Sequence, residues 1–199
     1  MIRDAQTLHI LVDAIAQFVD EALIPRENEV AETDEIPADI VSQFQDMGLF
    51  GLTIPEAYGG LGLTMEEEVT IAFELGRTSP AFRSYFGTNN GIGSIGILLD
   101  GTDAQKEHYL PLLASGELLS SFCLTEPDSG SDAASLKTTA VRDGDHYVIN
   151  GRKWFITNAM YERTKIIIVM GKSDPDNPNR HLQQSQVLVQ VTEFGRAHV

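Results

Sequence analysis

The first half of the chain has the apolar spacing of amphipathic helices. Near the start, apolar residues recur at steps of three and four and so share one helical face: Leu8, Leu11, Ile15, Phe18 and Ala22. We expect Pro25 to end this helix, because proline cannot donate the backbone hydrogen bond that a continuing helix needs. A second helix is predicted from about Pro37 to Gly48, a residue type that readily ends helices in the left-handed conformation. Its predicted buried face holds Ile40, Phe44 and Met47.

Two further helices are marked by capping boxes. In this motif a threonine and a Glu or Gln three residues later cap the helix start through reciprocal hydrogen bonds. Thr64 and Glu67 form one such pair, and Thr102 and Gln105 form the other. We therefore expect helices to begin just after Thr64 and just after Thr102.

After Gly116 the pattern changes from helices to strands. Short apolar runs bounded by turn-forming residues predict strands at 118–124, 165–171 and 187–191. Asp143-Gly144 predicts a hairpin turn, and Asn150-Gly151 is a second hairpin signal. The polar segment 173–184 is predicted to be a loop. The predicted fold class is α+β, with an all-helical N-terminal domain over residues 1–116 and an antiparallel β-domain over residues 117–199.

Charge and composition narrow the possible partners and compartment. The net charge of −15 argues against a nucleic-acid partner, because phosphate binding needs a basic surface. No apolar run approaches the ~20 residues of a membrane span, and the first residues lack the pattern of a targeting signal. Cys123 is the only cysteine, so no internal disulfide can form and a reducing, cytoplasmic location is expected. No His and Cys spacing predicts a metal site.

The stretch from Phe122 to Asp132 holds the residues best suited to binding a ligand. Pro127 is followed by Ser129, Gly130 and Ser131, small residues that can turn the backbone tightly. Such a turn can aim several N–H groups at an anion such as a pyrophosphate. The same residues are also typical of a polar loop that closes a β-hairpin. Glu126 and Asp132 can be a carboxylate pair for acid–base chemistry, but we interpret both as structural acceptors of backbone N–H bonds.

Four further segments are informative as motifs: Ile54–Leu63 (IPEAYGGLGL), Gly101–Lys106 (GTDAQK), Leu124–Asp132 (LTEPDSGSD) and Asn150–Asn158 (NGRKWFITN). Together, and in this order, they resemble segments of the acyl-CoA dehydrogenase family of flavoproteins. The resemblance implies a partial acyl-CoA dehydrogenase fold and FAD as cofactor. It also implies that Asn150–Asn158 is the second flavin-contacting strand.

The resemblance assigns cofactor contacts to nine residues: Phe122, Cys123, Leu124, Thr125, Gly130, Ser131, Phe155, Ile156 and Thr157. Leu124 and Thr125 would donate to the pyrimidine end of the flavin. Gly130 and Ser131 would lie at the pyrophosphate, with Ser131 also near the coenzyme A arm of the substrate. Phe155 would pack on the isoalloxazine ring and Thr157 would donate near its N5.

Several of these residues also have plain structural interpretations. Cys123 lies in an apolar run and is more typical of a small core residue than of a nucleophile. If Trp154 and Phe155 alternate along a strand, one of the two rings faces a core. The glycines of segment 85–99 allow either close helix packing or, as the resemblance implies, room for a fatty-acyl chain.

The resemblance implies α,β-dehydrogenation of acyl-CoA thioesters in fatty acid metabolism. The catalytic base would lie in a C-terminal helical domain, so this chain holds no predicted catalytic residue and is expected to be inactive alone. Segment 192–199 departs from the family pattern, which suggests a truncation with an altered tail. The implied partners are acyl-CoA, an electron acceptor such as an electron-transfer flavoprotein, and further copies of the full-length protein.

Two rival functions remain open at this point. The first is a flavin monooxygenase or nitroalkane-type oxidase of the same fold, which would keep the flavin-binding segments. The second is a non-catalytic fragment or interaction module that keeps the fold without the chemistry. Binding of a flavin by the purified protein separates the enzymes from the module.

Overall fold

A computed structural model describes residues 5–191 of the chain. The chain forms two compact units, which divide between Leu118 and Leu119. The first unit is helical and the second is built around a sheet. No helix within residues 5–191 is long and apolar enough to span a membrane. Residues 1–4 and segment 192–199, on which the expectations about targeting and truncation depend, lie outside the described residues.

The helical unit contains seven α-helices within its described residues: α1 Ala5–Phe18, α2 Glu27–Thr33, α3 Ala38–Asp46, α4 Met65–Leu75, α5 Pro80–Asn90, α6 Ile95–Asp100 and α7 Asp103–Ala114. Phe44 of α3 lies at the centre of its core and is fully buried. Its ring contacts Phe18 and Phe86 edge-on, with centroid distances of 5.9 and 5.1 Å. This edge-to-face geometry is the one that aromatic pairs prefer.

The prediction that Pro25 ends the first helix is wrong in one respect. The α-helix ends at Phe18, but the chain continues through a π-helical turn, Val19–Leu23, and a 3-10 turn, Ile24–Arg26, directly into α2. The Ile24 N–H bonds to the Val19 carbonyl, which is the wider π spacing. Such irregular turns let the chain continue past a proline, which has no N–H to donate to the preceding turn.

The predicted helix starts are confirmed at both capping boxes. Thr64 accepts from the Glu67 N–H while Glu67 accepts from the Thr64 N–H, and Thr102 and Gln105 do the same. Gly48 after α3 has φ +70, as expected of a left-handed helix end. Ile40 and Phe44 are buried and Met47 is half-buried.

The sheet unit has five strands within its described residues: β1 Leu119–Cys123, β2 Thr139–Asp143, β3 His146–Asn150, β4 Thr164–Lys172 and β5 Gln184–Gln190. β4 is central, and its Ile166 and Ile168 are fully buried. The predicted Asp143-Gly144 hairpin is confirmed by the antiparallel pairing of β2 with β3.

The order of a helical domain followed by a sheet domain is confirmed, but the sheet is mixed rather than antiparallel. β4 pairs antiparallel with β5, whereas β1 pairs with β4 in parallel. β2 also meets β4 in parallel, through Thr139 and Lys172. The whole β2–β3 hairpin lies between β1 and β4 in sequence, and parallel neighbours require such a long connection.

Asn150-Gly151 does not form the second hairpin, because no strand follows it directly. The chain from Gly151 to Arg163 is irregular. A Cβ atom on Gly151 would lie 2.1 Å from the Thr138 Oγ1. This glycine therefore permits a close approach to Thr138 rather than a tight turn.

Candidate functional site

The structure brings two of the sequence-predicted segments side by side in the sheet unit. The Trp154 N–H donates to the Thr125 carbonyl at 2.9 Å. Four residues before Thr125, the Ser121 hydroxyl donates to the Thr157 carbonyl, also at 2.9 Å. The predicted contact residues of 122–125 and of 155–157 therefore lie along neighbouring stretches of backbone.

A buried carboxylate joins these two segments. The Glu126 side chain is 4% exposed and accepts from the Lys153 ammonium at 2.9 Å. It also accepts from the Lys137 N–H at 2.6 Å and from the N–H and hydroxyl of Thr138 at 2.9 and 2.5 Å. Glu126 thus connects the turn that it starts, the two residues just before β2 and the segment that carries Trp154.

The charge state of Glu126 follows from these bonds. Burial alone would raise the pKa of this carboxyl, but the bonds from Thr138, Lys137 and Lys153 outweigh burial and lower the pKa to about 2. Asp132 lies at the other end of the turn, on the surface. Hydrogen bonds from Ser135 and Arg180 lower its pKa as well. Both carboxylates are held as anions by protein donors, which favours the structural interpretation of the pair over acid–base catalysis.

The turn after Pro127 is closed by two reciprocal backbone bonds. The Glu126 N–H donates to the Ser129 carbonyl at 2.9 Å, and the Ser129 N–H donates to the Glu126 carbonyl at 3.1 Å. By contrast, the N–H groups of Gly130 and Ser131 form no hydrogen bond within residues 5–191, and both residues are exposed. A Cβ atom on Gly130 would meet no atom within 4 Å. Two adjacent N–H donors without a protein partner are thus available to bind an anion.

Phe155 lies in an unusual conformation. It is 86% exposed, and its φ of +53 lies in the left-handed region that bulky residues avoid. The centroids of the Phe155 and Trp154 rings are 5.0 Å apart, in an edge-on arrangement. The Arg152 guanidinium lies over the Trp154 ring, 5.5 Å from its centroid. Such a conformation costs on the order of 1–3 kcal/mol and is concentrated at functional sites.

The prediction that segment 150–158 forms a strand is therefore wrong after Asn150. The positive φ values of Phe155 and Asn158 break the extended conformation, so Trp154 and Phe155 do not alternate between two faces. Trp154 is 38% exposed and Phe155 more so. Asparagine tolerates this backbone region, but no sequence signal indicates it for phenylalanine.

Near Phe155, three polar groups have no hydrogen-bond partner among the residues that the structure describes. The hydroxyls of Thr125 and Thr157, and the Thr125 N–H, form no hydrogen bond to any residue of the described 5–191 range. Phe122 and Ile156 are half-buried. An exposed ring next to unbonded donors fits a ligand that combines a flat heterocycle with hydrogen-bond acceptors, as FAD does.

Cys123 is the one predicted contact residue whose side chain is withdrawn from this surface. Its side chain is 6% exposed, and burial raises the pKa of the thiol to about 11, against a smaller lowering by Lys153. The thiol is therefore protonated at neutral pH and unsuited to nucleophilic chemistry. Only the backbone of Cys123 can serve a ligand. Among residues 5–191, no group of three or more metal-ligating side chains is placed to hold an ion.

In the helical unit, the glycines of segment 85–99 are only partly explained. A Cβ atom on Gly87 would approach Arg83 of the same helix, at 2.7 Å from its Nη1, and one on Gly91 would meet nothing within 4 Å. Close packing against another helix therefore does not explain these two glycines. Room for an acyl chain stays a prediction.

Comparisons with known proteins agree with the resemblance in the sequence. The model of the acyl-CoA dehydrogenase N-terminal domain matches residues 5–117, and that of the middle domain matches residues 121–196. A (2S)-methylsuccinyl-CoA dehydrogenase from Cereibacter sphaeroides is 42% identical over 170 residues, which cover 85% of this chain and 30% of that protein.

Solved structures give the same result. An acyl-CoA dehydrogenase from Geobacillus kaustophilus is 32% identical, with a TM-score of 0.81 over 95% of this chain and 49% of that one. An acyl-CoA dehydrogenase complexed with FAD from Bacillus anthracis is 33% identical, with a TM-score of 0.79 over 94% of this chain and 32% of that one. The chain thus spans less than half the length of each of these relatives. The family resemblance and the partial fold are confirmed: the chain belongs to the acyl-CoA dehydrogenase family.

Proposed function

We propose that this chain provides an FAD-binding surface for the α,β-dehydrogenation of acyl-CoA thioesters. One observation carries the proposal: Phe155 is exposed on a strained backbone beside the unbonded donors of Thr125 and Thr157. Strain and exposure of an aromatic ring both oppose stability, so a ligand that packs on the ring explains why they are kept. The relative from Bacillus anthracis, whose structure contains FAD, supports this choice of cofactor.

Each side chain has a definite role in this proposal. Phe155 packs on the isoalloxazine ring, and Thr157 donates its hydroxyl near the reactive edge. Leu124 and Thr125 hold the pyrimidine end, and the open N–H groups of Gly130 and Ser131 bind the pyrophosphate. Phe122 and Ile156 line the same surface, together with the backbone of Cys123. When bound, FAD supplies the two-electron chemistry, while the protein binds and orients it.

The substrate side of the proposal places the coenzyme A arm of the thioester near Ser131. A base must also remove the proton on the carbon next to the thioester carbonyl. Neither Glu126 nor Asp132 suits this task, because protein donors already hold both as weakly basic carboxylates. We therefore propose that the base is supplied from outside residues 5–191, and that electrons leave to an acceptor such as an electron-transfer flavoprotein.

A flavin titration of the purified chain tests the cofactor assignment. We expect Phe155→Ala to weaken FAD binding on the order of tenfold, since stacking contributes about 0.5–1.5 kcal/mol beyond area burial. Trp154→Ala should weaken it less. Tyr147→Ala is the matched control, because Tyr147 is an exposed aromatic on β3.

Two outcomes would contradict the proposal. The first is a wild-type chain that does not bind FAD at all. The second is a Phe155→Ala chain that binds FAD as tightly as the wild type. A larger effect of Trp154→Ala than of Phe155→Ala would show instead that Trp154 is the ring that meets the flavin.

Anaerobic mixing of the chain with FAD and saturated acyl-CoAs tests the assignment of the base. We expect no enoyl-CoA and no bleaching of the flavin. Stoichiometric bleaching with enoyl-CoA formation would show that the chain holds its own base.

A further inference from the structure

Lys153 is a nearly buried lysine, and lysine side chains are rarely buried. Its side chain is 11% exposed, and its ammonium donates to the Leu124 carbonyl at 3.0 Å and to Glu126 at 2.9 Å. Burial of both charges carries a large desolvation penalty, and an apolar pair of similar size is often as stable. A contribution to stability is therefore a weak explanation for the Lys153–Glu126 ion pair. The bond from Lys153 to the Leu124 carbonyl points to a second role for the lysine.

The Leu124 carbonyl is part of the peptide unit that also carries the Thr125 N–H. This peptide is trans and planar, so its C=O and N–H groups point in opposite directions. With the carbonyl held by Lys153, the Thr125 N–H points away from the buried pair. That N–H forms no hydrogen bond within residues 5–191, so it is a free donor with a fixed direction.

The next peptide is fixed by the residue that follows Lys153. The Thr125 carbonyl accepts from the Trp154 N–H at 2.9 Å, and Trp154 directly follows Lys153. Lys153 and Trp154 thus bind two successive carbonyls, those of Leu124 and Thr125. The two backbone segments can then shift relative to each other only if both bonds break.

We propose that Lys153 is a positioning residue that aims the Thr125 N–H at the pyrimidine edge of the flavin and keeps Phe155 in register with it. This inference rests on the proposed FAD-binding function. Glu126 acts as the counter-ion that allows the ammonium to be buried beside the Leu124 carbonyl. The acceptor for the Thr125 N–H is a carbonyl or ring nitrogen of the flavin.

Four variants test the proposal by two measurements, amide hydrogen exchange without flavin and flavin titration. Lys153→Met removes both bonds of the ammonium, and Lys153→Arg keeps the charge and the donors. Lys165→Met is the control, because Lys165 is an exposed lysine on β4. The double variant Lys153→Met with Glu126→Gln removes both charges, so it leaves no unpaired buried ion if Lys153→Met alone does not fold.

We expect Lys153→Met and the double variant to speed exchange of the Trp154 amide and to weaken FAD binding, each on the order of tenfold, as loss of one well-made bond would. Lys153→Arg should keep the exchange rate of the Trp154 amide and the FAD affinity close to the wild-type values. Lys165→Met should change neither quantity. The double variant tests positioning apart from folding. It should stay folded, although less stable than the wild type, and should bind FAD poorly.

The proposal is overturned if the folded double variant binds FAD within twofold of the wild type, or if its Trp154 amide exchanges at the wild-type rate. A wild-type chain that fails to bind FAD overturns the proposed function instead. In that case the exchange rates of the unliganded variants still decide whether Lys153 fixes the two segments.

Discussion

Phe44 and Phe155 are the same residue type under opposite conditions. Phe44 is fully buried in the helical unit, among the rings of Phe18, Phe82 and Phe86. Phe155 is almost fully exposed in the sheet unit, on a strained backbone, with only the Trp154 ring in edge-on contact among described aromatic residues. Stability explains the first phenylalanine and opposes the second. The comparison supports the proposal that Phe155 serves a ligand rather than the fold.

The largest effect on stability is expected for Phe44, the buried phenylalanine of the two. Phe44→Ala should lower the free energy of unfolding by about 3–5 kcal/mol, because it removes a fully buried ring and leaves a cavity. Phe155→Ala should change it by less than about 1 kcal/mol, since the ring is exposed and the backbone strain is kept. Urea denaturation of both variants checks the difference. Similar losses in the two would mean that Phe155 is packed against the fold.

The second largest effect is expected in acid, where protonation of Glu126 should lower the stability of the buried network around it. The pKa of Glu126 is lowered from 4.5 to about 2, so its stabilising effect is complete above about pH 4.5 and is lost as the pH falls towards 2. Between pH 7 and pH 3 the loss should be about 2 kcal/mol, because Glu126 is still mostly ionised in the folded state at pH 3. Unfolding free energies of the wild type and of Glu126→Gln, measured between pH 7 and pH 3, check this. The variant should be less stable at pH 7 and should lose less stability in acid; parallel curves would show that Glu126 does not titrate as described.

The turn offers a third test, in which the fold should stay unchanged while the ligand is lost. A Cβ atom added at Gly130 meets no atom within 4 Å, so we expect Gly130→Val to keep the unfolding free energy and to obstruct the pyrophosphate. Ser131→Ala should weaken FAD binding by roughly 1.5–3 kcal/mol if its hydroxyl donates to a phosphate. Ser185→Ala, whose hydroxyl pairs with Ser173, is the control. Unchanged FAD affinity in both turn variants would remove the pyrophosphate from this turn.

The features that could be predicted from the sequence are the local ones. The capping boxes at Thr64 and Thr102, the left-handed Gly48 and the hairpin at Gly144 each depend on residues a few positions apart. A motif within such a short window fixes its own geometry.

The features that could not be predicted depend on distant residues or on strain. The parallel pairing of β1 with β4 and the bond between Lys153 and Glu126 join positions far apart in the chain. The left-handed backbone of Phe155 opposes the preference of its own side chain, so no pattern indicates it. The resemblance assigns Phe155 to the flavin; the structure shows the residue exposed, and its contact with FAD stays a prediction.

The smallest expected effect gives the sharpest form of the comparison, because stability and binding should change in opposite directions. Asparagine tolerates the left-handed region, so Phe155→Asn should relieve strain and raise the free energy of unfolding by up to about 1 kcal/mol. The same change removes the stacking ring, so FAD binding should weaken. Phe44→Asn, the matched change in the core, should lose several kcal/mol of stability, because it buries an unsatisfied amide. Thermal unfolding without flavin and a flavin titration measure the two effects on Phe155→Asn. A variant that loses stability and keeps its FAD affinity would show that Phe155 serves the fold, and that its exposure is not the mark of a binding site.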